Sequence, residues 1–277
     1  MRVLAVALDL VREAAARRWI LALAIAVTVA LITLGVSLQL DVVDGALAAT
    51  RLFGRTVDTS IRAADVVLRP VFEGAAYLVF YGGLGTGILL TADFAPSLLS
   101  PGRIELLLSL PVRRVELLAG TLLGVLCLSS AAALYGAGGV VVILGWKTGV
   151  WTAGPLWAAL LSSVCFTAIY AAMLTTAVFV RSAAMSAAAG AVFFGLGIVA
   201  SYRDEIAALL TAGPSRMAFL AFTLPLPRLA SLGTAAAWVA GGSPPSGHLL
   251  LGLVASALVF GGGAFAVGAW HFERKDY

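Results

Sequence analysis

The chain has 277 residues, 61% of them hydrophobic and only 12% charged, with a mean hydropathy of +1.02. A soluble domain of this length cannot bury so much apolar surface, so the composition indicates an integral membrane protein. The formal charge of +4 is scattered over the ends of apolar runs, with no Lys/Arg block interleaved with aromatics, which argues against nucleic acid as a ligand.

A helix needs about 20 apolar residues to cross the hydrocarbon core, whereas closed barrels show short alternating strands. The runs here are long and rich in Leu, Ala, Val and Gly, so the expected fold is an all-α integral membrane protein, a single transmembrane domain over residues 1–277 with six transmembrane helices. Residues 1–18 place Val3, Leu4, Ala7, Leu8 and Val11 on one side of a helix and Arg2, Asp9, Arg12 and Glu13 on the other, the pattern of an interfacial helix. Arg17 and Arg18 precede Trp19, the order in which a cytoplasmic segment enters the membrane past an aromatic belt, and residues 19–40 make the first span. That apolar core is longer than a signal peptide's, and Asp9 and Glu13 do not suit a basic leader, so no cleavage is expected.

Residues 41–73 are expected outside the membrane. Their charges Arg51, Arg55, Asp58, Arg62, Asp65 and Arg69 recur at helical spacing and predict one solvated stripe on an amphipathic helix. Residues 74–92 form the second span, in which Gly82, Gly83, Gly85 and Gly87 admit a neighbouring helix closely; no Gly-Lys-Ser/Thr follows, so this is not a nucleotide loop.

Between spans two and three a dense charged cluster, S-P-G-R-I-E-L-L-L-S-L-P-V-R-R-V-E-L-L-A-G, runs from Ser100 to Gly120. Ser100 suits a helix cap, Pro101 the first turn and Pro111 the stop, giving a helix within residues 100–114 that is too short to cross and must lie on the membrane surface. Ile104, Leu106, Leu107, Leu108 and Leu110 are expected to pack on the membrane domain. Arg103, Glu105, Arg113, Arg114 and Glu116 remain for water or a partner.

Spans at 117–146 and 155–180 are joined by a short outer loop carrying Lys147, and a tight inner turn at Arg181 leads to the span 183–202. Residues 203–246 are expected outside. Their apolar pieces at 206–212, 217–226 and 229–240 are broken by Pro214, Pro225 and Pro227 and by G-G-S-P-P, and read as short helices dipping into the outer leaflet under protein cover. Residues 247–270 make the sixth span and 271–277 a charged tail. With both termini inside, ten Lys/Arg lie inside and eight outside, in the sense of the positive-inside rule.

No Asp, Glu, Lys or Arg falls in the interior of these spans, which disfavours an ion-coupled carrier. Cys127 and Cys165 stand alone in apolar runs as packing residues. Lys147-Thr148 is the sole lysine–hydroxyl pair, and Trp146 and Val141 occupy the glycine positions that a phosphate loop needs, so the chain does not bind ATP in that way. His248 and His271 sit near opposite ends of the last span, and no catalytic motif or metal relay is apparent, so no catalytic, cofactor-binding or metal residue is assigned and the chain is not expected to be an enzyme.

The pattern Gly102-x-x-Glu105-Leu106-Leu107-Leu108-Ser109-x-Pro111-x-Arg113-Arg114-x-Glu116-Leu117-Leu118-x-Gly120, followed by Gly124, resembles the type-2 permease family of ABC transporters, particularly the branch grouped with permeases of copper-enzyme maturation. The resemblance implies a cytoplasmic coupling helix that docks into a separate ABC ATPase subunit through Gly102, Arg103, Glu105, Ser109, Pro111, Arg113, Arg114 and Glu116. ATP and Mg would be held by that subunit. It further implies a second permease copy or a related permease, location in the cell (inner) membrane with both termini cytoplasmic, and outward transport. Relatives often carry an acidic-basic-acidic run where this chain has Leu98-Leu99-Ser100-Pro101, and a Lys where it has Thr121, so individual ion pairs with the ATPase differ here. The expected function is the permease subunit of an ATP-driven exporter. The alternative is a non-transporting membrane scaffold that anchors a cytoplasmic partner.

Overall fold

The computed structural model describes residues 2–274 except 17, 44–45, 53–54, 59–61, 110–111 and 211–212, with backbone alone for 18–20, 22–23, 38–68 and 108. Arg17, Leu110, Pro111 and the tail from Lys275 therefore lie outside the described residues. Among the described residues, five helices are long and apolar enough to cross a membrane, within Arg69–Leu98, Arg114–Thr148, Gly154–Val180, Ala183–Ser201 and Gly247–Arg274. This is a multi-pass, overwhelmingly helical membrane protein.

In chain order, α1 (Arg2–Ala16) is amphipathic and buries Ala7, Leu10 and Ala14; α2 (Arg18–Ser37) follows. Four short strands come next: β1 (Leu38–Val43), β2 (Ala46–Leu52), β3 (Arg55–Asp58) and β4 (Arg62–Ala63). They form a small antiparallel sheet ordered β1-β2-β3, with β4 also pairing β2. This corrects two expectations, since the first span gives way to a strand at Leu38 and, within residues 51–69 predicted as one charged helix, Arg51, Leu52, Arg55–Asp58 and Arg62–Ala63 are strand. The physical reason is local. Asp44-Gly45 is a hairpin dipeptide, and Val43 pairs with Ala46 across it. β-branched Val42, Val43, Thr50, Thr56 and Val57 favour the pleated ladder, whereas charge pairs at helical spacing contribute only a few tenths of a kcal/mol each.

The second apolar helix, α3 (Ala64–Thr91), is followed by α4 (Phe94–Leu98), α5 (Arg103–Ser109), α6 (Arg114–Thr148), α7 (Gly154–Val180) and α8 (Ala183–Ser201). Beyond it lie α9 (Arg203–Leu209), α10 (Pro214–Thr223), α11 (Leu229–Ala240) and α12 (Gly247–Arg274). The boundaries of the last four predicted spans match α6, α7, α8 and α12 to within a few residues. Pro70 sits in the second turn of α3.

The centre of the bundle is α7, which packs against α3, α6, α8, α11 and α12. It is buried from Ala158 to Val178 on most sides, as expected of a helix apolar all round. Its closest seam is with α12. A Cβ built at Gly261 falls 3.0 Å from the Ala168 Cα, and one at Gly268 falls 2.6 Å from the Thr175 Oγ1, whose hydroxyl donates to the Ala264 carbonyl at 2.7 Å. With no water to supply a driving force in lipid, close backbone approach and interhelical hydrogen bonds are what hold such helices together.

Of the pieces expected near the outer leaflet, α11 coincides with 229–240 and is deeply packed: Leu229, Leu232, Ala235, Ala236 and Ala237 are buried. Gly233 lies against Tyr81 and Phe80, while Gly154 meets Ala240. Its first amide groups are capped from another element, since Ala230 N–H and Ser231 N–H donate to the Ser201 Oγ at 2.9 and 3.3 Å. In contrast, α10 leaves Met217 and Phe222 exposed, as is Leu224 just after it.

Candidate coupling surface

The charged cluster between α4 and α6 is built from a turn, a short helix and a helix start. Gly102 has φ of 80°, the left-handed region that glycine enters without strain, and it turns the chain from α4 into α5. Ser100 does not cap α5 as expected; its hydroxyl donates to the Ser97 carbonyl at 2.8 Å, closing α4 instead, and Pro101 lies in the turn before the helix. The first turn of α5 takes its backbone bonds from Ile104 N–H to the Ser100 carbonyl and from Leu106 N–H to the Gly102 carbonyl. Pro111 lies outside the described residues.

The apolar face of α5 is partly as predicted. Ile104 is buried and Leu107 packs against the core, while Leu106 is 67% exposed. Leu106 thus points away from the membrane domain, contrary to the expected packing, because Ile104 and Leu107 already occupy the inward face at the i, i+3 spacing of a helix.

Three of the charges are engaged inside the protein. Arg103 forms a two-armed ion pair with Glu13 of α1, Nη1 donating to Oε1 at 2.9 Å and Nη2 to Oε2. Both side chains are about one-third exposed, at 32% and 28%. Arg114, the first residue of α6, donates from Nη1 to the carbonyls of Phe272 and Glu273 at 3.1 and 3.2 Å, and its guanidinium lies 6.0 Å from the Phe272 ring centroid. A cation is favoured there by the partial negative charge of the α12 C-terminus. The Glu116 carboxylate accepts from the Arg113 backbone N–H at 2.8 Å, one half of a capping box at the start of α6, and lies 4.0 Å from Arg2.

The sequence pattern also contains two glycines whose role is steric. A Cβ at Gly120 would fall 2.5 Å from the Val6 Cβ and 2.9 Å from the Val3 carbonyl oxygen, and one at Gly124 would fall 3.0 Å from the Ala7 carbonyl oxygen. These glycines seat α1 on α6. Sequence reasoning placed α1 at an interface without finding this seat; the signal was the four-residue spacing of Gly120 and Gly124 opposite Val3, Val6, Ala7 and Leu10.

The result is a surface on which Glu105, Leu106, Ser109 and Arg113 are exposed together, flanked by α1 and by the end of α12. Beside it an open cleft of about 240 Å³ lies between α1, α4, α5 and the start of α6, lined by Arg2, Asp9, Glu13 and Arg103 and by apolar Leu10, Leu98 and Leu107. α1, the charged segment between α4 and α6, and the end of α12 thus share one end of the bundle. Among the described residues no cluster of His, Cys, Asp and Glu is arranged to hold a metal.

Compared with known families and with curated proteins, the chain matches no family model and no curated sequence.

Proposed function

We propose that this chain is the membrane-spanning permease subunit of an ATP-driven ABC transporter, an exporter, with α5 as the element through which a separate ATPase subunit acts. The observation that carries this reading is mechanical. Arg103 joins α5 to α1, and Arg114 joins the start of α6 to the end of α12, while Glu105, Ser109 and Arg113 face outward. A force applied to the outer face of α5 therefore reaches three membrane-associated helices at once and can rock them as packed bodies.

In this reading α2 crosses together with the five longer helices. Leu31 of α2 lies against Gly139 and Ile143 of α6 lies against Gly35, so the two helices run side by side in the same direction. With six spans both termini and α5 share one face, which this reading assigns to the cytoplasmic side of the cell (inner) membrane. A second permease copy completes the transport path, and ATP and Mg are held by the partner subunit.

The test is affinity purification from the native membrane in mild detergent, followed by identification of copurifying chains and an ATPase assay. A stoichiometric nucleotide-binding subunit that is lost in Arg113→Glu supports the proposal. Recovery of the chain with partners lacking a nucleotide fold would favour the scaffold, and unchanged assembly and activity in Arg113→Glu would remove α5 from the coupling role.

A further inference from the structure

The centre of the bundle holds a polar group that the packing does not use. Among the described residues, the hydroxyl of Tyr170 on α7 is the one buried side-chain polar atom without a hydrogen-bond partner. The residue is fully buried, its ring stacked on Phe166 with centroids 5.8 Å apart and planes at 27°. The serine and threonine hydroxyls of the same helix are all satisfied. Ser162 donates to the Phe80 carbonyl of α3, Thr175 to the Ala264 carbonyl of α12, and Ser163, Thr167 and Thr176 to carbonyls one turn back on α7. A tyrosine ring is too long and rigid to bend its hydroxyl back onto its own helix, so Tyr170 can be satisfied only from a facing element. An unpaired hydroxyl in such apolar surroundings is costly, and a phenylalanine would fill the same site without that cost.

The register of α3 on α7 points to the facing group. A Cβ built at Gly83 falls 3.1 Å from the Ser162 Oγ, and one at Gly87 falls 2.8 Å from the Phe166 ring. Both helices advance four residues between these contacts and in the same sense, so a further turn brings Thr91, the last residue of α3, level with Tyr170. Thr91 is 3% exposed, and its hydroxyl donates to the Gly87 carbonyl at 2.7 Å. Its oxygen thus keeps acceptor capacity, while the Tyr170 O–H is an unused donor.

We propose that Tyr170 and Thr91 form a hydrogen-bond switch between α7 and α3, open in this structure and closed in a second packing in which the Tyr170 O–H donates to the Thr91 Oγ1. The last turn of α3 is placed to move. Just beyond Thr91 the chain enters α4 and then, through Gly102, α5, so a displacement of that segment is inherited by Thr91, whereas α7 is held by five neighbouring helices. A small slide of this turn along α7 is the kind of shear that packed helices undergo. Closing the switch loosens the seat of Phe166 on Gly87 and gains the bond that Tyr170 lacks. The two opposing terms leave the closed packing as a minor state, populated at about 1–10%. The switch concerns only the packing of α3 on α7, so it stands independently of the transport reading.

The test incorporates 3-fluorotyrosine into the full chain, purified in dodecyl maltoside, and follows Tyr170 by fluorine NMR, its signal being the one absent from Tyr170→Phe. Tyr170 should exchange with a minor state, seen as a second resonance or as relaxation dispersion. Thr91→Val should lower that minor population about three-fold, the effect of one interhelical hydrogen bond, and Thr91→Ser, which keeps the hydroxyl, should retain it. The unfolding midpoint reports whether each variant is folded, and Tyr170→Phe should leave it unchanged or raise it. Absence of exchange at Tyr170, the same minor population in Thr91→Val, or a midpoint several degrees lower in Tyr170→Phe, which would mean that the hydroxyl is already paired, would overturn the proposal.

Discussion

Glycines 120 and 138 stand on the same helix and have opposite surroundings. At Gly120 an added Cβ meets Val6 and the Val3 carbonyl, whereas at Gly138 nothing lies within 4 Å. Gly120→Val is therefore expected to push α1 off α6 and destabilise the protein by about 1–3 kcal/mol, the usual cost of overpacking. Gly138→Ala should be neutral or gain up to about 1 kcal/mol from helix propensity. Thermal unfolding in detergent, followed by circular dichroism, separates the two; equal effects would mean that α1 does not sit on Gly120. Arg103 and Glu13 supply a second test at this scale. Charge reversal at either residue should weaken the protein, and the swapped pair Glu13→Arg with Arg103→Glu should recover it, with a coupling energy of about 1 kcal/mol for a partly exposed pair that shrinks as salt rises. Absence of coupling in the double-mutant cycle would dissociate α5 from α1.

The seam between α7 and α12 is where single changes should spread to a whole element. Gly268→Leu places a branched side chain against Thr175 and should separate the two helices, lowering the unfolding midpoint by several degrees, whereas Gly262→Ala, at a site with nothing within 4 Å, should not. Thr175→Val removes the bond to the Ala264 carbonyl and should cost only about 0.6 kcal/mol, the average for an interhelical hydrogen bond within a membrane. A larger loss from Thr175→Val than from Gly268→Leu would mean that the hydrogen bond, rather than close packing, holds the seam. α11 belongs to the same scale. Two of its first amide groups are satisfied by Ser201 and most of its apolar residues are covered by α3, α7 and α8, so a short helix is tolerated beside membrane spans because protein covers most of it.

Across the whole molecule the two cysteines report on packing and membrane placement together. Cys165 is buried among the helices at the centre of the bundle, and Cys127 is exposed on α6, an apolar helix long enough to cross a bilayer. In sealed vesicles Cys127 should resist both a membrane-permeant and a charged maleimide, because the thiolate that reacts does not form in hydrocarbon, and Cys165 should react only after denaturation. Labelling of Cys127 by the charged reagent would show that this part of α6 faces water.

Much of this architecture was legible in the residues alone. Runs of Leu, Ala, Val and Gly near the length of a bilayer dictate helices whatever surrounds them, because in hydrocarbon every backbone polar group must be paired within its own segment. The helices α6, α7, α8, α11 and α12 accordingly fall close to where the apolar runs place them. The sheet after α2 was also encoded, in Asp44-Gly45 and its β-branched flanks, but the helical spacing of the charges obscured it, since surface charge spacing is energetically weak and any order of charges can decorate a strand. What the tertiary structure alone decided is which charges of the segment between α4 and α6 turn inward. Arg103, Arg113 and Arg114 are equivalent as a string of basic residues; folding gives Arg103 a carboxylate of α1 and Arg114 the carbonyls that end α12, and leaves the Arg113 side chain exposed. Their partners lie about 90 to 160 positions away in the chain, and pairing at that range is set by how helices pack in three dimensions, which no local pattern encodes.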